Sequence, residues 1–141
     1  MIRNAKVISQ ASSEGLVSLE LGEIPSNKQG LNAFLLTFQA GENRWNLTFT
    51  RAVRKALTYV RDNVDGNILI TRSSSAKFFS NGLDIASLNP TDVESTKMLG
   101  KEVMGAFADV LELPIPTVCV IQGHAFGAVS SFDMIFSEQI D

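Results

Sequence analysis

Residues 68–88, ILITRSSSAKFFSNGLDIASL, are the stretch from which the fold is read. Asn67–Thr71 (NILIT) is a short apolar run, the pattern of a parallel strand buried on both faces. A polar loop over 72–82 follows and ends on Asn81-Gly82, a turn-forming pair. Leu83–Leu88 has room for one helical turn. Upstream, Phe49, Ala52, Val53, Ala56, Leu57 and Val60 recur at helical spacing and predict a helix over Thr48–Asn63. Arg51, Arg54, Lys55, Arg61 and Asp62 fall on its other side, which reads as a solvated face rather than a binding patch. Gly66 lies just past the helix end, where a left-handed residue is often needed.

Downstream, Thr91-Asp-Val-Glu94 fits a capping box. The helix it opens turns Leu99, Val103, Ala106, Phe107 and Val110 inward and runs to about Leu113, where Pro114 and Pro116 stop it. Thr117–Ile121 (TVCVI) repeats the buried-strand pattern, and Gly123-His-Ala-Phe-Gly127 is a second loop. On the N-terminal side, Leu16–Leu21 and Asn32–Phe38 read as the strands of a hairpin joined through a turn over 22–30. Gly41–Arg44 is a loop, and residues 1–15 are polar and expected to be frayed. After the hairpin the order is helix, strand, loop, helix, strand, loop. Strands alternating with helices imply crossover units and a mostly parallel α/β sheet. In such sheets function gathers at the C-terminal ends of the strands, and both glycine-bearing loops leave those ends.

Composition bounds the function. The chain has 141 residues, 45% hydrophobic and 19% charged, which suits one domain with a sizeable core. A net charge of −3 argues against a general nucleic-acid binder. Its single cysteine, Cys119, cannot form an internal disulfide and sits in an apolar run as a small core residue. One cysteine and one histidine cannot build a zinc site. No leader-like or membrane-spanning apolar run is visible, so no membrane partner is expected, just as the net charge leads to no nucleic-acid partner being expected. Ser130 and Ser131 lack the nucleophile-elbow glycines of serine hydrolases.

Two segments carry a family resemblance. ILITRSSSAKFFSNGLDIASL at 68–88 and PIPTVCVIQGHAFGA at 114–128 resemble the paired signatures of the crotonase (enoyl-CoA hydratase/isomerase) superfamily, and GENRWNLTFTRAVRKAL at 41–57 resembles the segment before that family's first long helix. FFSNGLD and GHAFGA are most similar to the peroxisomal-type enoyl-CoA isomerase branch. The resemblance implies a crotonase-like fold of ββα spiral units forming a single domain over 1–141 whose C-terminal part is missing, with residues 1–15 disordered. It implies an acyl-CoA thioester as ligand, coenzyme A entering only as part of the substrate and no other cofactor. It also implies double-bond migration from 3-enoyl-CoA to 2-enoyl-CoA in fatty-acid β-oxidation, a peroxisomal or cytoplasmic setting, and homotrimers as the family assembly.

The same resemblance assigns the site. An enolate-like thioester oxygen is stabilised by two converging backbone amides, which need no reorganisation during reaction. By resemblance these belong to Leu83 and to Ala128. Ala128 stands where the family usually has glycine. Ser80, Gly82, Asp84, Ile85, Ala86 and Gly127 are the implied substrate-lining positions, with Asp84 alternatively a cap for the turn it begins. His124 occupies a variable loop position rather than the family's base. Hydratases carry a glutamate where this chain has Ser131, which favours isomerase chemistry with a single carboxylate. Glu138, in IFSEQID at 135–141, resembles that isomerase glutamate but follows the second loop too soon, as an internal deletion, splice product or truncated copy would make it. The alternatives are a non-catalytic remnant that binds acyl-CoA or a full-length subunit, and another crotonase reaction such as hydration or thioester hydrolysis.

A chain without the covering helices that the resemblance implies would expose apolar faces. Self-association is therefore expected, and sedimentation at several concentrations checks it. A monomer with a sharp cooperative melt would show the chain to be self-sufficient.

Overall fold

The computed structural model describes residues 2–25, 30–63 and 65–127. Its elements in chain order are β1 (Arg3–Val7), β2 (Val17–Glu23), β3 (Asn32–Phe38), α1 (Leu47–Asp62), β4 (Ile68–Ser73), β5 (Phe78–Ser80), α2 (Val93–Leu111), β6 (Thr117–Cys119) and β7 (His124–Ala125). Single 3-10 turns stand at Ser9–Ala11 and Ile85–Ser87. Five strands form one sheet in the order β1-β2-β3-β4-β6, and β5 pairs with β7 in a separate ribbon.

β3 is the central strand. Every residue from Ala33 to Phe38 is buried, as an apolar strand flanked on both edges requires. It runs antiparallel to β2, with Leu19 opposite Leu36, and parallel to β4, with Leu36 opposite Thr71. β4 continues parallel into β6, Ile70 opposite Val118. Successive side chains leave opposite faces of a strand. Phe34, Leu36 and Phe38 therefore enter the core shared with the helices. Phe38 packs against three rings there: it lies edge-on to Trp45 and Phe49 and tilted against Phe79, with centroids 5.2–6.0 Å apart.

α1 forms because its apolar residues repeat at helical spacing and because Asn46 caps it, its side-chain oxygen accepting from the Phe49 amide. Its buried face, Phe49 to Val60, lies on the sheet core. α2 buries Leu99, Val103, Ala106 and Val110. The expected solvated basic face of α1 is corrected at one position. Arg54 is half-buried and spans to α2, with its Nε 2.7 Å from Asp109 and its Nη1 2.9 Å from Glu102. The Asp109 hydrogen bond is the main cause holding its pKa above the ordinary arginine value. Gly105 makes this approach possible, since a Cβ there would stand 2.5 Å from the guanidinium.

Other expectations shift for physical reasons. The segment 1–15, read as frayed, instead supplies β1, which pairs antiparallel with β2, and the fully buried Ala11. A neighbouring edge overrides its polar composition. The α2 cap is Asp92, accepting from the Ser95 amide, rather than Thr91, whose hydroxyl goes to Asn89. Gly66 has no left-handed backbone. It is glycine because a Cβ would lie 2.5 Å from the Phe34 ring.

Phe38→Ala removes the ring on which three others pack. It is expected to lower unfolding free energy by about 3–5 kcal/mol, read by denaturant titration.

Candidate active site

The two glycine-bearing loops meet at the C-terminal ends of β4 and β6. β5 lies inside the first loop, read from the sequence as a polar loop, and β7 inside the second. They join in parallel, Phe78 beside His124 and Ser80 beside Ala125. The His124 amide donates to the Lys77 carbonyl at 2.9 Å and the Phe126 amide to the Ser80 carbonyl at 3.1 Å. Gly82 (φ +77°), Gly123 (φ +81°) and Gly127 (φ +70°) all sit in the left-handed region, where glycine alone carries no penalty. At Gly82 a Cβ would also stand 2.8 Å from the Phe126 carbonyl, and at Gly123 it would strike the Lys77 carbonyl.

A third segment, part of the 41–57 stretch that carries the family resemblance but to which the sequence assigned no site role, clamps the first loop. The β3–α1 connection runs beside residues 80–84. The Asn81 amide donates to the Glu42 carbonyl (2.9 Å), the Trp45 amide to the Gly82 carbonyl (2.8 Å), and the Asp84 amide to the Trp45 carbonyl (3.0 Å). The Gly82 amide donates to Ser80 Oγ and the Ile85 amide to the Leu83 carbonyl. Within 81–85, Leu83 alone has an amide that donates to no acceptor among the described residues. The alternation of a parallel bridge is the cause: Gly82 and Asp84 face Trp45, so Leu83 N–H faces away from it.

Of the positions assigned by resemblance, Leu83 and Asp84 are half-buried, Ile85 is 74% exposed, and Ala86 is exposed. Asp84 makes no capping bond to the turn that follows it, and its carboxylate accepts from Asn46 Nδ2 at 3.4 Å. Ser80 is fully buried, its hydroxyl donating to the Asn43 carbonyl at 2.6 Å, so its side chain organises the loop from inside. Gly82 is buried and Gly127 exposed. Ala128, Ser131 and Glu138 lie outside the described residues. His124 is exposed, stacked on Phe126 with ring centroids 5.5 Å apart.

Glu42 sits on the rim. Hydrogen bonds from Arg44, then from Asn81, lower its pKa. The stability it contributes is therefore present above the ordinary value of 4.5 and is lost as pH falls through the lowered folded value. A crevice of about 310 Å³ opens beside the 84–88 turn, between Leu47 at the start of α1 and Leu88, Ser95 and Leu99. Among the described residues no cluster of histidine, cysteine and carboxylate side chains could hold a metal ion, and no helix is long and apolar enough to cross a membrane.

Strand order and the paired loops define an α/β domain whose likeness to solved enoyl-CoA hydratase structures is one of fold. The enoyl-CoA hydratase/isomerase family matches residues 28–136, and the chain belongs to that family. Among curated relatives, it is 33% identical over 90 residues to the peroxisomal enoyl-CoA delta isomerase 1 of Arabidopsis thaliana, a match covering 62% of this chain and 37% of the relative. It is 32% identical over 97 residues to enoyl-CoA delta isomerase 3 of the same plant, covering 65% and 40%. The solved structure of a Geobacillus kaustophilus HTA426 enoyl-CoA hydratase superposes with a TM-score of 0.77 at 17% identity, over 94% of this chain and 46% of that one. Pseudomonas aeruginosa DspI superposes with a TM-score of 0.74 at 17% identity, over 89% and 48%. The chain thus spans less than half the length of these proteins.

Substituting Gly82 tests the loop geometry. Gly82→Ala is expected to cost about 1–3 kcal/mol from the left-handed backbone, with the Phe126 carbonyl clash added. Gly15→Ala, at φ +71° with nothing within 4 Å of the new Cβ, should show the backbone cost alone. Chemical denaturation of both variants gives the comparison.

Proposed function

We propose that the chain binds an enoyl-CoA thioester with its carbonyl oxygen on the Leu83 amide, and that the reaction is migration of a 3-enoyl double bond to the 2-position. The observation that carries this reading is the Leu83 N–H, the amide left over when its neighbours are tied to the β3–α1 connection. A fixed donor at a developing oxyanion lowers the barrier because it is aimed before charge appears. The Ala128 amide is the proposed second donor, following the left-handed Gly127 that leads the second loop past Gly82. Gly82, Asp84, Ile85 and Ala86 are the proposed contacts to the coenzyme A portion. Ser80 contributes through the loop it holds.

Isomerisation is preferred over hydration on two grounds. Ser131 stands where hydratases carry a carboxylate, and the curated relatives named above are delta isomerases. Glu138 is the proposed proton carrier, taking a proton from carbon 2 of the substrate and returning one at carbon 4. Such a base acts near neutral pH when apolar neighbours raise its pKa. The peroxisomal name of one relative, enoyl-CoA delta isomerase 1, supports a peroxisomal setting and a place in fatty-acid β-oxidation.

Purified protein incubated with a 3-enoyl-CoA is expected to yield the conjugated 2-enoyl thioester, followed by its ultraviolet absorbance. Glu138→Gln keeps size and polarity and should lower turnover by at least about a hundredfold, the usual worth of a positioned general base. Turnover that survives the substitution excludes Glu138. Binding of acyl-CoA without turnover in the parent chain would replace the enzyme reading with a binding one.

A further inference from the structure

We infer that Asn43 is the positioning residue for the Leu83 amide, and that the β3–α1 connection is a working part of the oxyanion site. The inference rests on the reading that Leu83 receives the thioester oxygen. Asn43 is fully buried and holds a left-handed backbone at φ +50°, a conformation asparagine tolerates better than most residues. All of its polar groups are engaged. Its Oδ1 accepts from the Ala40 amide at 2.9 Å. Its Nδ2 donates to Ser73 Oγ at the end of β4 and to the Phe79 carbonyl in β5, both at 2.9 Å. Its carbonyl accepts from Ser80 Oγ at 2.6 Å, and its amide donates to the Ala40 carbonyl at 3.2 Å. One side chain therefore joins the connection leaving β3, the end of β4 and the strand that opens the first loop.

Those bonds set the level at which residues 42–45 lie beside residues 80–84. The bonds from Asn81 to Glu42, from Trp45 to Gly82 and from Asp84 to Trp45 follow from that level. A shift of the connection would exchange which amides face Trp45, and the Leu83 N–H would turn away from the open side. Nothing else among the described hydrogen bonds ties Ser73, Phe79 and Ala40 to one group. The site is buried, so each lost bond leaves an unpaired polar atom rather than a hydrated one.

The experiment uses the full chain and an acyl-CoA carrying a carbon-13 thioester carbonyl, with the bound carbonyl stretch read by isotope-edited infrared spectroscopy. The parent chain is expected to show a downshifted stretch, because an aimed donor polarises the carbonyl. Asn43→Gly keeps the left-handed backbone accessible while deleting the side-chain bonds. It should lose most of the downshift and weaken acyl-CoA binding about tenfold, while affinity for free coenzyme A, which has no thioester carbonyl, stays the same. Leu57→Ala, destabilised within the α1 core and away from the loop, should keep the downshift. If Asn43→Gly does not fold, Ser80→Ala, which deletes the hydroxyl bond to the Asn43 carbonyl together with the acceptor of the Gly82 amide, gives the comparison from the other end of the same link. An unaltered downshift in the Asn43 variant beside a shifted parent overturns the inference and leaves the Leu83 reading standing. An unshifted parent carbonyl overturns both. Equal loss in Leu57→Ala shows a general effect of instability and also overturns the inference.

Discussion

The constraint on which the structure depends is the burial of β3. A strand closed to water from Ala33 to Phe38 must satisfy its backbone on both edges and cover both faces. β2 and β4 supply the edges. α1 covers the face that carries Phe34, Leu36 and Phe38. Because β3, β4 and β6 run parallel, each connection must return over the sheet, and the helices are those returns. The same parallel order sends the loop after β3, the loop after β4 and the loop after β6 to one end. The candidate site is where these three connections meet.

What the site offers is a choice among amides. A loop of ordinary composition has many N–H groups, and most are neutralised by carbonyls nearby. Here the pairing with Trp45 consumes Gly82 C=O and Asp84 N–H, and the Ser80 hydroxyl takes the amide of Gly82. Leu83 is left by alternation, at the position that the resemblance of FFSNGLD assigned. The glycines serve this arrangement in two ways: a positive φ at Gly82 reverses the chain, and the missing Cβ lets the Phe126 carbonyl approach. Either alone would admit asparagine or alanine at moderate cost, and together they favour glycine. The helix pair stabilises the platform at a distance through Arg54, which binds two carboxylates of α2 at once.

Most of the framework was legible as a sequence. Apolar spacing located α1 and α2 because each buries one face, and the runs at NILIT and TVCVI marked the places of β4 and β6. But β6 ends at Cys119, is half-buried at the sheet edge and leaves Val120 and Ile121 exposed, so the buried strand read from TVCVI is corrected. The glycines of the two loops were visible as residues that allow close approach. β1 was not legible, because five exposed residues carry no periodic signal and only an existing edge on β2 recruits them. β5 and β7 were missed for the same reason: a parallel pair of this length is formed by its partner, not by its own propensity. Spacing also misplaced the cap of α2 by one residue. Threonine and aspartate stand side by side there and both can cap, and the carboxylate of Asp92 reaches the Ser95 amide while Thr91 turns to Asn89.

The sequence by itself determined the fold class, the order of its elements, the two loops and the residue types that let them come together, since these follow from local spacing and backbone freedom. Tertiary structure decided which amide stays unpaired and which residue holds it there. Asn43 lies in the 41–57 stretch that carries the family resemblance, but nothing in that stretch gives it a role, and its importance arises from Ser73, Phe79 and Ala40 each being brought to 2.9 Å from one side chain. Distances between segments so far apart in the chain are set by packing of the sheet and helices, and no local pattern encodes them.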